Sequence, residues 1–212
     1  MRNRTTSTDD ELDAAADEQG ADRRLQVLRA AATCFQKHGF HATSIQRISQ
    51  LADMSPGHIY HYFRNKEAIV AGIVEQCLAD DFQRVERLRR DGRTAAALEE
   101  ALIAEFESGI AVNQGRAALD VEIMAEATRN PTVAALVQQA DEVARARGMG
   151  LLRQLPSLQK LPPKELAARL AVMKAIVNGL AIRSLCDPTL NRAATMRVIK
   201  QLVRALLKEK TV

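Results

Sequence analysis

The chain has 212 residues, a formal net charge of +4 and a pI near 9.1, with 47% hydrophobic, 26% charged and 3% aromatic residues. That balance describes an ordinary globular protein large enough to bury its own core, and it excludes collagen-like, disulfide-scaffold and wholly disordered classes. Every apolar stretch is interrupted well short of the roughly 18 residues a membrane span needs, and the opening MRNRTTSTDDELD lacks the apolar stretch of a signal peptide. The expected location is cytoplasmic, with no membrane partner. Cys34, Cys77 and Cys186 lie far apart with no CxxC pair, which fits reduced thiols better than a disulfide frame or a zinc site.

Strand signals are nearly absent: Trp is missing and Ala, Leu, Glu, Arg and Gln dominate, so an all-α fold of about nine helices is predicted. Residues 1–21 hold two arginines against six carboxylates and show no apolar periodicity, which predicts a flexible acidic arm. The next stretch, 22–66, reverses the balance, with seven basic residues against Asp22 and Asp53. A compact basic segment is the electrostatic footprint of something that sits on phosphates.

From Asp22 as N-cap, Leu28, Ala31, Ala32 and Phe35 share one face of a first helix, which Gly39 stops. Thr43 is expected to cap a short second helix with an apolar stripe of Ile45, Ile48, Leu51 and Ala52. Ser55-Pro56, an N-cap followed by proline at the first helical position, opens a third helix, PGHIYHYF, that ends by Arg64. Asn65 restarts a long fourth helix carrying Ile69, Ile73, Val74, Cys77 and Leu78 at helical spacing. Beyond Gly92, helices are expected over Thr94–Gln114, Gly115–Thr128, Thr132–Leu155, Pro163–Leu185 and Asn191–Lys210, separated by glycine and proline breaks.

Two short helices after a first one, within the most basic part of the chain, match a helix-turn-helix reader of DNA. The third helix crowds His58, Tyr60, His61 and Tyr62 into one and a half turns, whereas Ile59 and Phe63, four apart, should face the core. The outward groups suit phosphates and base edges. Gly57 allows close approach of backbone to DNA, and Thr43, Ser55 and Lys66 sit at helix starts, where free N–H groups and the dipole favour a phosphate.

The run SPGHIYHYFRNK, Ser55 to Lys66, followed by Glu67-Ala68-Ile69, resembles the recognition-helix signature of the tetracycline-repressor (TetR) family of bacterial transcription regulators. Phe35, Gly39-Phe40, Thr43, Ile45, Ile48 and Ala52 fall where that family keeps its first two helices, so the resemblance covers about a fifth of the chain. It implies base contacts from Pro56, Gly57, His58 and Tyr60, with Gln46 on the second helix, and phosphate contacts from Thr43, Ser44, Ser55, His61, Tyr62 and Lys66. Tyr62 stands where the commonest order of that motif has His, and the acidic arm lacks the basic residues of some members. The implied organisation is a DNA-binding domain over 22–68 and a ligand-binding and dimerisation domain over 69–212.

The resemblance further implies a homodimer through the last two helices, whose stripes are Leu166, Leu170, Met173, Val177 and Leu180, then Met196, Ile199, Val203 and Leu206. Two-fold symmetry lets a short reading helix dock twice, at half-sites about 10 bp or a multiple of that apart on a near-palindrome. An apolar or amphipathic small-molecule effector would enter a pocket between the fifth, sixth, seventh and eighth helices, with Phe106, Ile110, Glu122, Ile123, Glu126, Met149, Met173 and Val177 as candidate contacts. Glu122 and Glu126, four apart, either face such a ligand or are satisfied by Arg129 and solvent.

The four histidines fall in two HxxH pairs on separate elements without zinc-finger cysteines, so no metal and no cofactor is expected. GxSxG, HExxH, Walker and strand-linked GxGxxG motifs are missing, and Cys34–His38 is the one pair with nucleophile spacing; an enzyme is not expected. The expected function is a sequence-specific DNA-binding regulator, a repressor released from its operator by the effector. An activator or dual regulator of the same fold, or a helical binding module without DNA activity, remain alternatives.

Overall fold

Caps and prolines set most helix starts in the computed structural model, which describes residues 6–91, 94–112 and 114–208, with side chains described for 19–80, 82–90, 94, 96–104 and 116–208. Among the described residues there are nine helices and no strand: α1 (Thr6–Ala42), α2 (Ile45–Leu51), α3 (Pro56–Tyr62), α4 (Lys66–Asp91), α5 (Ala95–Val112), α6 (Gln114–Ala127), α7 (Pro131–Leu152), α8 (Pro163–Cys186) and α9 (Arg192–Leu206). The oxygens of Ser44, Ser55, Asn65, Thr94, Asn130 and Asn191 each accept a backbone N–H two or three residues on, satisfying donors that a helix start leaves open. Proline follows directly at 56, 131 and 163. The chain divides into two compact units, Met1–Ile73 and Val74–Val212, with the division inside α4.

In the first unit, α1 starts at Thr6, so the N-cap expected at Asp22 lies inside a helix and the stretch from Thr6 to Ala21 is helical. The Ala14-Ala15-Ala16 run, of high helix propensity, favours that extension. Gly39 breaks α1 with φ 75° and ψ 166°, a conformation that disfavours any side chain. The cap of α2 is Ser44 rather than Thr43, whose hydroxyl is buried and shared between the carbonyls of Gly39 (2.8 Å) and Cys34 (3.2 Å).

Val27, Leu28, Ala31, Cys34, Phe35, Ile48, Ala52, Ile59 and Phe63 bury together in this unit's core. Leu51 departs from the expected stripe and is 54% exposed, because on a seven-residue helix Ile48 and Ala52 already define the inward side. α2 ends in a Schellman turn: Met54 N–H donates to Ser49 (3.0 Å) and Asp53 N–H to Gln50 (3.4 Å). Asp53 holds the left-handed position there, φ 50°, where glycine is usual. Gln26 Nε2 ties the same turn to α1 through the Ala52 carbonyl, at 2.8 Å. Gly72 admits close packing of α4, since a Cβ there would stand 2.8 Å from Leu28 and 3.0 Å from Phe63.

The second unit is built on Leu98, Leu102, Ile103, Leu151, Leu152, Leu166, Met173, Ile199, Val203 and Leu207. α7 stops at Leu152, three residues earlier than its apolar pattern suggested, and the chain continues in successive three-residue turns. Leu155, Leu158 and Leu161 each donate N–H to the leucine three before, at 3.1, 2.9 and 3.2 Å, so this period-three leucine run drops into the core. Arg169 is nearly buried: Nη1 donates to the carbonyls of Leu206 (2.9 Å) and Lys208 (2.6 Å), and Nε to Glu165 (3.0 Å). With Ser157 Oγ on Leu207 O at 2.7 Å, it caps the negative end of α9.

The stripes expected to pair α8 and α9 with a second chain lie elsewhere: Leu166, Met173, Ile199 and Val203 are buried in this unit's own core, with Leu170, Leu180, Met196 and Leu206 packed against it. The outward apolar residues of these helices are Val172, Ile182, Leu185, Val198 and Leu202, each 44–56% exposed. Helices of a bundle end must first close their own core, which claims the continuous stripe.

Two substitutions test this account by urea unfolding. Asp53→Gly relieves the left-handed Asp and raises stability by up to about 1 kcal/mol, whereas Asp53→Val lowers it. Arg169→Met removes three charge-assisted bonds and leaves two carbonyls without donors, costing roughly 2–3 kcal/mol.

Candidate nucleic-acid interface

The short helix α3 is oriented by two anchors, Ile59 and Phe63, both buried, and Arg24 lies over the Phe63 ring at 5.2 Å. With that side held, Pro56, Gly57, His58, Tyr60 and His61 are exposed and Tyr62 is half-buried. The outward rings form a cluster: His58 stacks on Tyr62 at 5.4 Å, His61 meets Tyr62 edge-on at 5.1 Å, and His58 and His61 are 6.5 Å apart. Mutual stacking restricts the rotamers of these side chains, so the helix presents donors and acceptors with little remaining freedom. Around Gly57 the space is open, the nearest atom to a Cβ there being Ser55 Oγ at 4.0 Å.

Ser44 before α2, Gln46 on it and Ser55 before α3 are also exposed, so both helix starts are accessible. The oxygens of Ser44 and Ser55 already accept the N–H groups of Arg47 (3.1 Å) and His58 (3.2 Å) and keep a hydroxyl proton to donate. Thr43 is different from its expectation: 1% exposed, with its hydroxyl committed to the turn, its side chain presents nothing to a phosphate. Lys66 is half-buried, and its Nζ donates to the Phe40 carbonyl at 2.8 Å while lying 4.4 Å above the Phe40 ring. It clamps the α1–α2 turn and has two further N–H donors. Arg47, absent from the sequence-based contacts, is exposed beside Ser44 and donates to Ala42 O at 3.2 Å; its only sequence signal was its share in the basic segment.

The expected effector residues are dispersed. Met173 is buried in the core of the second unit with Met149 packed against it, and Ile123 is buried, with Glu122 and Val177 half-buried. Glu126, 2% exposed, accepts from Arg129 Nη2 (3.3 Å) and Asn130 Nδ2 (3.2 Å), and so closes the α6–α7 turn rather than offering a carboxylate to a ligand. Phe106 and Ile110 lie outside the described side chains. Burial pushes the Cys34 thiol above its ordinary value, with Arg47 and Lys37 pulling the other way, the reverse of the activation a nucleophile requires. Among the described residues no group of three or more His, Cys, Asp or Glu could hold a metal, and no helix is long and apolar enough to cross a membrane.

Two segments of the chain match known family models. Residues 27–73 match the family model for bacterial regulatory proteins of the tetR family, and residues 94–208 match the C-terminal model of BetI-type transcriptional repressors. The HTH-type transcriptional regulator UidR of Escherichia coli strain K12 is 35% identical over 115 residues, 54% of this chain and 57% of that one, so the match spans a little over half of that relative. The structure of Salmonella enterica GusR superposes with a TM-score of 0.69 at 26% identity, covering 88% of this chain and 95% of that one. A putative TetR-family regulator from Rhodococcus sp. shares the fold at TM-score 0.73 and 17% identity, over 89% of this chain and 100% of that one. With the reading helix inside one matched segment and more than half of the chain inside the other, the protein belongs to the TetR family of bacterial transcription regulators.

Proposed function

We propose that the protein is a sequence-specific DNA-binding transcriptional regulator of the cytoplasm, a repressor that a small molecule releases from a near-palindromic operator. The observation that carries this reading is the exposed face of α3, where Gly57, His58, Tyr60 and His61 stand outward beside two accessible helix starts. Tyr and His present both a hydrogen-bonding edge and a flat ring, which suits base edges and the thymine methyl in a major groove. Ser44, Ser55, Tyr62 and the remaining donors of Lys66 supply phosphate contacts that fix the register. Gln46, on α2, extends the set that reaches bases.

The second unit holds the effector and the mate. Its apolar core, which includes Met173 with Met149 packed against it, suits an apolar or amphipathic ligand, since thioethers repack around varied shapes. Such a ligand releases DNA only through its differential affinity for the bound and released states. Dimerisation uses the outward apolar residues Val172, Ile182 and Leu185 of α8 with Val198 and Leu202 of α9.

Selection of bound fragments from the source genome in about 150 mM salt, where non-specific phosphate attraction is restrained, enriches a near-palindrome if this reading holds. On that fragment Tyr60→Ala and His58→Ala each cost about 1–3 kcal/mol of binding with unfolding midpoints unchanged. The double variant Val198→Asp with Leu202→Asp sediments as a folded monomer and loses most operator affinity, because a single short helix no longer docks twice. Failure to enrich any fragment, by protein refolded free of ligand, refutes the reading.

A further inference from the structure

The first unit carries a cleft of about 340 Å³ between α1 and α2 that the reading of α3 does not use. Lys37 and His38 of α1 and Arg47 and Gln50 of α2 line it, all exposed, with Leu51 at its lip and the buried Cys34 at its floor. No carboxylate is among the lining residues, so its fixed charges are those of Lys37 and Arg47. The floor contributes no anion either, because burial keeps the Cys34 thiol protonated at neutral pH even though both cations act on it.

We propose that this cleft seats a backbone phosphate of the DNA duplex, held by Lys37 and Arg47 with His38 beside them, flanking the bases that α3 reads; the inference rests on that reading of α3. Three features select DNA over a free small anion. The cleft is open, whereas a small-molecule site buries most of its ligand, so a lone phosphate here keeps its hydration and gains little. A duplex needs no enclosure: its affinity comes from releasing condensed counterions wherever a cation meets a phosphate. The cleft is also continuous with the candidate interface through Arg47, which follows Ser44 by three residues and whose guanidinium donates to Ala42 O at the edge of the turn. Gln50 Nε2 provides a neutral donor at the same wall.

The test measures binding of the full chain as a function of salt, on the fragment its own genomic selection yields and on an unrelated duplex. Lys37→Gln, Arg47→Gln and their combination are compared with Lys160→Gln, an exposed control in the second unit. Each cleft substitution makes the log-log salt slope shallower by about one and weakens binding several-fold to a similar extent on both DNAs, and the control changes neither. Arg47 also bonds the Ala42 carbonyl, so thermal unfolding is followed in parallel and Lys37→Gln, with no bond to the turn, decides if Arg47→Gln loosens it. Unchanged slopes and affinities in the cleft variants, while Tyr60→Ala still loses the selected fragment, overturn the cleft and leave the reading of α3 standing. A loss confined to the selected fragment also overturns it, since a backbone contact is blind to sequence. If the unmodified chain selects no fragment, the reading of α3 and the cleft fall together.

Discussion

Gly39 takes a left-handed φ because α1 must end and the chain must reverse before Ser44, and the alignment of α2 and α3 depends on what closes that reversal. Two groups do so. The Thr43 hydroxyl draws the carbonyls of Cys34 and Gly39 inward, and the Lys66 ammonium takes the Phe40 carbonyl while resting on the Phe40 ring. Each satisfies an oxygen that the end of a helix leaves without a partner. Loss of either donor would not merely remove a contact; it would loosen the relation between the helix that sets the frame and the helix that presents His58, Tyr60 and His61.

The two units use polar groups in different ways. In the first, hydrogen bonds from Gln26, Thr43 and Lys66 position turns around a small core and leave the outer faces of α2 and α3 to solvent. In the second, a larger leucine-rich core supplies the stabilisation, and the buried polar groups Glu126 and Arg169 each close one helix end. The surface pairs Lys174–Asp141, joining α8 to α7, and Arg204–Glu100, joining α9 to α5, add little at such exposure.

Much of the fold was legible in the sequence because it is written in local chemistry. Ser55-Pro56, Asn65, Asn130-Pro131 and Gly39 mark boundaries through caps and a backbone preference that act within a few residues. The exposure of His58, Tyr60 and His61 followed from the i,i+4 pair Ile59 and Phe63. What escaped depends on partners far along the chain. Thr43 and Ser44 are equivalent as cap formers, and only the position of the Cys34 and Gly39 carbonyls assigns them different work. The stripes of α8 and α9 were visible, but periodicity says which residues share a face and not whether that face meets its own chain or another. The leucines at 152, 155, 158 and 161 repeat every three residues, a period that a search for helices and strands passes over.

Arg169 and the last turn of α9 form one thermodynamic unit, although 37 residues of chain separate it from Leu206, whose carbonyl its guanidinium binds. Their mutational effects should therefore be strongly epistatic. In a chain already lacking Arg169, shortening α9 before Leu206 forfeits only packing, whereas in the intact chain the same shortening strands a buried cation.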